Sequence, residues 1–425
     1  MRRFEAQTKN GTVAGIYNPY YNQDILLGIK FAQDPVGDLR LRLPVPVNTS
    51  WAGTKDATKR PATCPRYNFD DGLTIGEDCL SLDVVRPAST KAGDDLPVLF
   101  RLVVPGYIGG GTADPRFNGT FLVHESVEMG SPIVLVAINY RVMGFGFLAS
   151  KEVVEAGIRN LGFQDQRLAL RWTQENIRDF GGDPDKVTIW GESAGATSAS
   201  LQLLTNDGDN EGLFRSLITE SGSLVGDHSY PAVNTVLQLA STCQLVYDNI
   251  TKVVGCANAS DTLDCLRSMF PIIDGTFLKH LPSESFAIGK IAKNVAILIG
   301  SNTDEYHPVL GCLFGTGEER FASEGFQYKR GAAVEGTFPF MRESSQPVYT
   351  FRFDTVPWNG KEDHIDTVPH ICHLLQRRPF QPYRDLSTAM SRSWLSFAAY
   401  QDPNRHGVAH VPYWPQYRNS ERNIL

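Results

Sequence analysis

The sequence predicts an α/β fold with a mostly parallel central sheet and helices on both faces, read as a single domain over residues 1–425. Three observations carry this. Residues 186–196, Lys-Val-Thr-Ile-Trp-Gly-Glu-Ser-Ala-Gly-Ala, join a β-branched run to a small-residue segment through one tight corner. Residues 96–104 and 132–138 are apolar runs of the length that suits strands buried on both faces. Residues 161–180 set Leu168, Leu170, Trp172 and Ile177 among Gln, Arg and Glu and close on Gly181-Gly182-Asp183-Pro184, an amphipathic helix with a strong stop.

Taken in order, residues 11–87 read as short strands and turns, with strands near 12–17 and 25–29 and connections at Pro44, Pro46 and Pro61. Cys64 and Cys79 flank a loop containing Asp70, Asp71 and Gly72. A disulfide closing that loop is worth about 3 kcal/mol of chain entropy. Leu80, Leu82 and Val84 then alternate with Ser81, Asp83 and Val85, as a strand requires. The run at 96–104 is interrupted only by Pro97 and Arg101. It leads into Gly106-Tyr107-Ile108-Gly109-Gly110-Gly111, a loop whose glycines reach φ values that other residues resist and can bring backbone N–H groups close to a ligand. Neither Gly-x-Gly-x-x-Gly nor a Lys-Ser/Thr ending is present, which argues against a nucleotide. Further strands are expected at 213–218, before Glu220-Ser221-Gly222-Ser223, at 295–299, before Asp304-Glu305, and at 348–353. Residues 386–400, with Met390, Trp394, Leu395 and Phe397, read as a closing helix.

Composition narrows the function classes. A net charge of -7 and a pI near 5.8, with no stripe of Lys and Arg, argue against a nucleic-acid partner. No run reaches the roughly 18 apolar residues of a membrane span, so no integral membrane segment is expected. The first residues, Met1-Arg2-Arg3-Phe4-Glu5-Ala6-Gln7, have no apolar core behind the basic pair, so no secretory signal is visible. Seven cysteines and the Asn-x-Ser/Thr acceptors at Asn10, Asn48, Asn118, Asn249 and Asn258 point the other way, to an extracellular setting. No His/Cys/Asp cluster has zinc-like spacing, so no metal is expected.

Gly191-Glu192-Ser193-Ala194-Gly195 fits the Gly-x-Ser-x-Gly nucleophile elbow, with helix over 194–204. A strand that turns at once into a helix brings backbones too close for β-carbons, which accounts for both glycines. A serine hydroxyl is a weak nucleophile at neutral pH and needs a base, and the base needs an acid to hold it. Where these follow in the order Ser, acid, His, Asp304 and Glu305 are the best-placed acids. Among the later histidines, His307 is too close to its acid, and His364 follows the next expected strand.

Asn160-Leu-Gly-Phe-Gln-Asp-Gln-Arg-Leu-Ala-Leu-Arg-Trp172, Phe180-Gly-Gly-Asp-Pro184 and Gly191-Glu-Ser-Ala-Gly-Ala196 together resemble the type-B carboxylesterase/lipase family, and particularly its cholinesterase-like and fungal members. Matching segments run from Asn10-Gly-Thr through Glu77-Asp-Cys-Leu80 to Trp414-Pro-Gln-Tyr417. The resemblance implies an α/β-hydrolase fold and hydrolysis of carboxylic esters or lipids through an acyl-enzyme, with no cofactor required. It implies Ser193 as nucleophile, Glu305 as the acid and His364, in His364-Ile-Asp-Thr-Val-Pro-His370, as the base, with His370 the alternative. It further implies Gly106 and Ala194 as oxyanion donors, Glu192 and Ser221 as supporting groups, and disulfides Cys64–Cys79 and Cys256–Cys265, with Cys243, Cys312 and Cys372 unassigned.

Three departures from the family pattern stand out. Val103-Val104-Pro105-Gly106 replaces the usual His-Gly-Gly-Gly, and Pro105 has no N–H to donate. Tyr306 replaces the glycine after the acid, and the connection between 306 and 363 is shorter than the family's. Glu362 and Asp363 precede His364, and two carboxylates beside a histidine raise its pKa. The leading expectation is a secreted serine carboxylesterase or lipase, and the alternative is a catalytically impaired binding or adhesion protein on the same scaffold.

Overall fold

The alternating N-terminal segments form an antiparallel meander, β1 (Arg3–Thr8), β2 (Gly11–Asn18) and β3 (Gln23–Lys30), with β4 (Thr54–Asp56) parallel to β2. The computed structural model describes residues 3–66, 72–103, 107–220, 236–269, 349, 381–409 and 411–416. The strands expected at 295–299 and 348–353 fall outside these, apart from residue 349.

The sheet continues through β5 (Ser81–Pro87), β6 (Leu96–Leu102), β7 (Val134–Ile138), β8 (Gly182–Glu192) and β9 (Ser216–Glu220), in spatial order β1-β2-β3-β5-β7-β6-β8-β9. It is mixed. β5 runs antiparallel to both β3 and β7, whereas β7, β6, β8 and β9 are mutually parallel, the half in which the apolar runs were read as buried strands. All seven residues of β5 are buried, although its sequence alternates. A strand in the middle of a sheet covered on both faces hides its polar positions too. Asp83 is the costly one: burial pushes its carboxyl above the usual range against the pull of Arg60, whose Nε donates to it at 2.6 Å, and the Gly28 N–H donates at 2.9 Å.

Helices α1 (Thr120–Glu128), α2 (Met143–Phe147), α3 (Lys151–Glu155), α4 (Leu161–Asn176), α5 (Ala194–Leu204), α6 (Val236–Val253), α7 (Thr262–Met269) and α8 (Gln381–Tyr400) complete the described elements. One sheet face, carrying Val98, Phe100, Val134, Val136, Val187 and Ile189, packs under Leu168, Leu170 and Trp172 of α4. The other, carrying Leu99, Leu135, Ala137 and Trp190, packs under Leu122 and Val123 of α1 and Met390, Trp394 and Leu395 of α8. Each fully buried aliphatic side chain contributes about 1.5–3 kcal/mol, so the parallel strands are fixed from both sides. The Gly181-Gly182-Asp183-Pro184 stop does more than end the helix: Gly181 turns at φ 85° and β8 starts at Gly182, reaching regular pairing by Val187 after an irregular register.

Cys64 is bonded to Cys79, and Cys256 to Cys265. The second bridge sits in a satellite core of Leu41, Val153, Tyr247, Leu263 and Leu266. Arg40 ties that core to the first disulfide loop through Glu77, at 2.5 Å, and the Arg267 carbonyl. Cys243 is a free, partly buried thiol.

Glu211 accepts from Arg171 and Arg167, and these bonds, the one from Arg171 above all, hold its carboxyl at about 2, well below the usual carboxylate range. A depressed carboxylate stabilises the fold above its unfolded pKa and stops doing so as pH falls through its folded one. The Glu211 contribution is therefore present at pH 5 and above and is lost between about pH 4.5 and 2. Glu211→Gln is expected to cost on the order of 1 kcal/mol at pH 7, because the group is solvent-exposed, and to cost nothing near pH 2. Denaturant midpoints of both proteins at the two pH values check this.

Candidate active site

β8 delivers Ser193 and α5 leaves it, with no intervening residue. Ser193 sits at φ 54°, ψ −121°, a conformation that costs a non-glycine residue about 1–3 kcal/mol. The two glycines are dictated by contact. A β-carbon on Gly191 would lie 2.2 Å from the Gly195 carbonyl carbon and oxygen, and one on Gly195 would lie 2.7 Å from the Leu102 carbonyl oxygen. Both obstacles are backbone, so neither can swing aside. The expected helix over 194–204 is present with those bounds.

Around the corner the main chain is committed. The Ser193 N–H donates to the Glu220 carbonyl at 2.8 Å, and the Ser193 carbonyl accepts the Thr197 N–H at 3.0 Å, opening α5. The Ala194 N–H lies in the first turn of α5, where helical amides lack intrahelical partners and the helix dipole favours negative charge. Among the described residues no group accepts from it. A developing oxyanion beside Ser193 would find that donor. Ser193 and Glu192 are each 7% exposed, and Glu192 pairs in register with Glu220.

The residues that resemble a family motif in α4 turn out to be the cradle of α5. Gln166 donates to Ser198 Oγ at 3.1 Å, and Ser198 donates to the Tyr107 hydroxyl at 3.3 Å. Arg167 reaches Gln202 and Glu211, and Asp165 holds Arg141 in a buried fork at 2.6 and 2.8 Å. Tyr107 packs edge-on against Phe147 and Phe163 and stands at φ 56°. In the glycine-dense loop, Gly111 is required by packing: a β-carbon there would lie 2.4 Å from Thr63 Cγ2, beside the Cys64 bridge.

Of the residues expected to act with Ser193, Ala194 and Glu192 are brought to it, whereas Gly106, Ser221, Glu305, His364 and His370, together with Pro105, lie outside the described residues. Glu220, Trp190, Trp394 and Arg101 carry no motif that marks them, yet they lie beneath the corner. Glu220 is wholly buried, and its Oε1 accepts from Trp394 Nε1 at 2.7 Å and from Trp190 Nε1. Arg101, which interrupts an apolar strand run, is buried with its guanidinium 3.9 Å from the Trp190 ring centre. An acid closing one strand and a base within another were the available signals for a buried charged layer.

A surface cavity of about 280 Å³, lined among others by Asn10, Pro44, Arg171 and Trp172, contains none of the candidate catalytic residues. Among the described residues there is no metal-binding group of three or more His, Cys, Asp or Glu, and no helix long and apolar enough to cross a membrane.

A family model described as the carboxylesterase family matches residues 3–329. Secreted lipase 1 of Botryotinia fuckeliana is 40% identical over 65% of this chain and 55% of its own length. Lipase 4 of Diutina rugosa is 37% identical over 98% of this chain and 90% of its own, in a match running over 515 residues. An inactive carboxylesterase-like protein, VdtD of Byssochlamys spectabilis, is 32% identical over 66% of this chain and 53% of its own. The chain thus spans about half the length of two of these three relatives. The crystal structure of Aspergillus niger EstA superposes with a TM-score of 0.72 at 24% identity, covering 97% of this chain and 92% of that one, a likeness of fold.

Proposed function

This chain belongs to the carboxylesterase family, and on that premise we propose that it is a serine hydrolase of carboxylic esters or lipids. The observation that carries the reading is the strained, glycine-framed Ser193 with the Ala194 N–H at the mouth of α5. In the proposed reaction Ser193 Oγ attacks the ester carbonyl as His364 takes its proton, and Glu305 orients His364. The Ala194 N–H, with Gly106, stabilises the oxyanion. The tetrahedral species expels the alcohol, which takes the proton back from His364. Water then attacks the acyl-serine by the same route, releasing the acid and restoring Ser193. No cofactor enters these steps, and the partner is a small-molecule ester or lipid.

An extracellular setting is the matching proposal for location. The two disulfides and the exposed acceptors Asn48, Asn118 and Asn258 support it, as does the name of the Botryotinia relative.

The second reading is a catalytically impaired, cholinesterase-like binding or adhesion protein. Pro105 favours it, as does the connection between 306 and 363, shorter than the family's. Hydrolysis of p-nitrophenyl butyrate by folded protein, beside Ser193→Ala, separates the two: turnover above the variant supports the hydrolase, and equal rates sink it. If the missing donor limits the rate, Pro105→Gly is expected to raise kcat by more than about tenfold. An unchanged kcat would remove the oxyanion loop as the limiting feature.

A further inference from the structure

Ser193 holds an uphill backbone conformation, so something must keep the corner from relaxing. At the end of the ladder between β8 and β9, the Ser193 N–H donates to the Glu220 carbonyl at 2.8 Å. Glu220 is the last residue of β9, the point at which the ladder with β8 ends at the pair Glu192–Glu220. The side chain of Glu220 supplies a further constraint: one carboxylate oxygen gathers the indole N–H of Trp190, in the strand that delivers the nucleophile, and that of Trp394, in α8. Trp394 is itself set in the apolar layer with Met390, Leu395 and Trp414. α8 is anchored a second time just before β9, where Arg215 donates to the Ala398 and Ala399 carbonyls at 2.7 and 2.9 Å.

A buried carboxylate is expensive, and a leucine of similar volume would fill the space without that penalty. A leucine would also remove the oxygen that accepts from both buried indoles. The charge has a counterpart within the same layer, because the Arg101 guanidinium stacks on the Trp190 ring that donates to Glu220. Carboxylate, indole and guanidinium meet at the base of the elbow, where the Glu220 carbonyl receives the Ser193 N–H.

We propose that Glu220 is a positioning residue for the nucleophile: by clamping Trp190 and Trp394 it fixes the carbonyl that holds the Ser193 N–H, and with it the aim of Ser193 Oγ and the Ala194 N–H. The proposal rests on Ser193 being the nucleophile. Misplacing a reacting group by about 1 Å costs on the order of 10²-fold in rate without altering how substrate is held. The signature is therefore a fall in kcat with KM kept.

The test is kcat per active site for p-nitrophenyl butyrate, with sites counted by the acylation burst, in wild type, Glu220→Gln, Glu220→Leu and Trp394→Phe. Gln retains an oxygen for both indoles and is expected within about threefold of wild type, Leu is expected to fall by about 30-fold or more, and Phe, which removes one donor, by about 3- to 10-fold, each with KM within about twofold. Folded Glu220→Leu with wild-type kcat would overturn the assignment. So would an equal fall in Gln and Leu, which would make the charge the active feature. If Glu220→Leu does not fold, Trp394→Phe decides, and an unchanged kcat there overturns it. Wild type without turnover would overturn the nucleophile reading and this proposal together, an outcome distinct from active wild type with indifferent variants.

Discussion

Ser193→Ala is expected to abolish ester turnover, lowering kcat by at least about 10⁴-fold while leaving the fold intact. The hydroxyl is the only part of Ser193 that the proposed reaction uses. The main-chain bonds to Glu220 and Thr197 do not depend on the side chain. Ser193→Gly sharpens the point. Removing the β-carbon from a residue at φ 54° relieves strain worth about 1–3 kcal/mol, so this variant is expected to be inactive and more stable than wild type. Thermal unfolding beside the ester assay reads both. A variant that is inactive because it is unfolded would show the opposite shift.

Gly191→Ala is expected to cost more than about 4 kcal/mol, enough to prevent recovery of folded protein. Its β-carbon would meet the Gly195 carbonyl group at 2.2 Å, inside any attainable contact, and both partners are backbone of the same corner. Gly144→Ala is the matched control. It lies in α2 with nothing within 4 Å of the added carbon and no positive φ, and is expected to change stability by less than about 1 kcal/mol. Soluble expression and denaturant unfolding of the pair decide. Equal behaviour would mean that the close approach of β8 and α5 is not as tight as described.

These effects were legible in the sequence to different degrees, and the reason is locality. The corner was readable because strand propensity, two glycines and a small-residue helix lie within eleven consecutive residues. α5 begins and ends where those residues put it. The apolar runs in β6 and β7 were readable because strands covered on both faces tolerate few polar residues. The position of β5 between β3 and β7 was not, because antiparallel partners far apart in the chain leave no local mark. Alternation in β5 marks a strand, but not that Asp83 is buried and answered by Arg60 and the Gly28 amide, partners 23 and 55 residues away. The family motif in α4 was recognisable as a string, but its purpose, to seat α5 through Gln166–Ser198 and Arg167–Gln202, needs the third dimension. Glu220 is the extreme case. A lone acid at a strand end reads as a turn residue until Trp190 and Trp394 close on it from elements about 30 and 174 positions away.

The account stands on Ser193 being a reactive serine. The most direct measurement is incubation of the folded protein with a fluorophosphonate, followed by mass analysis of the peptide that contains it. One equivalent of phosphonyl group on Ser193, with fluoride displaced by Oγ, and no adduct in Ser193→Ala is the result expected. Folded wild-type protein that stays unmodified, or that carries the group on another residue, would contradict the account.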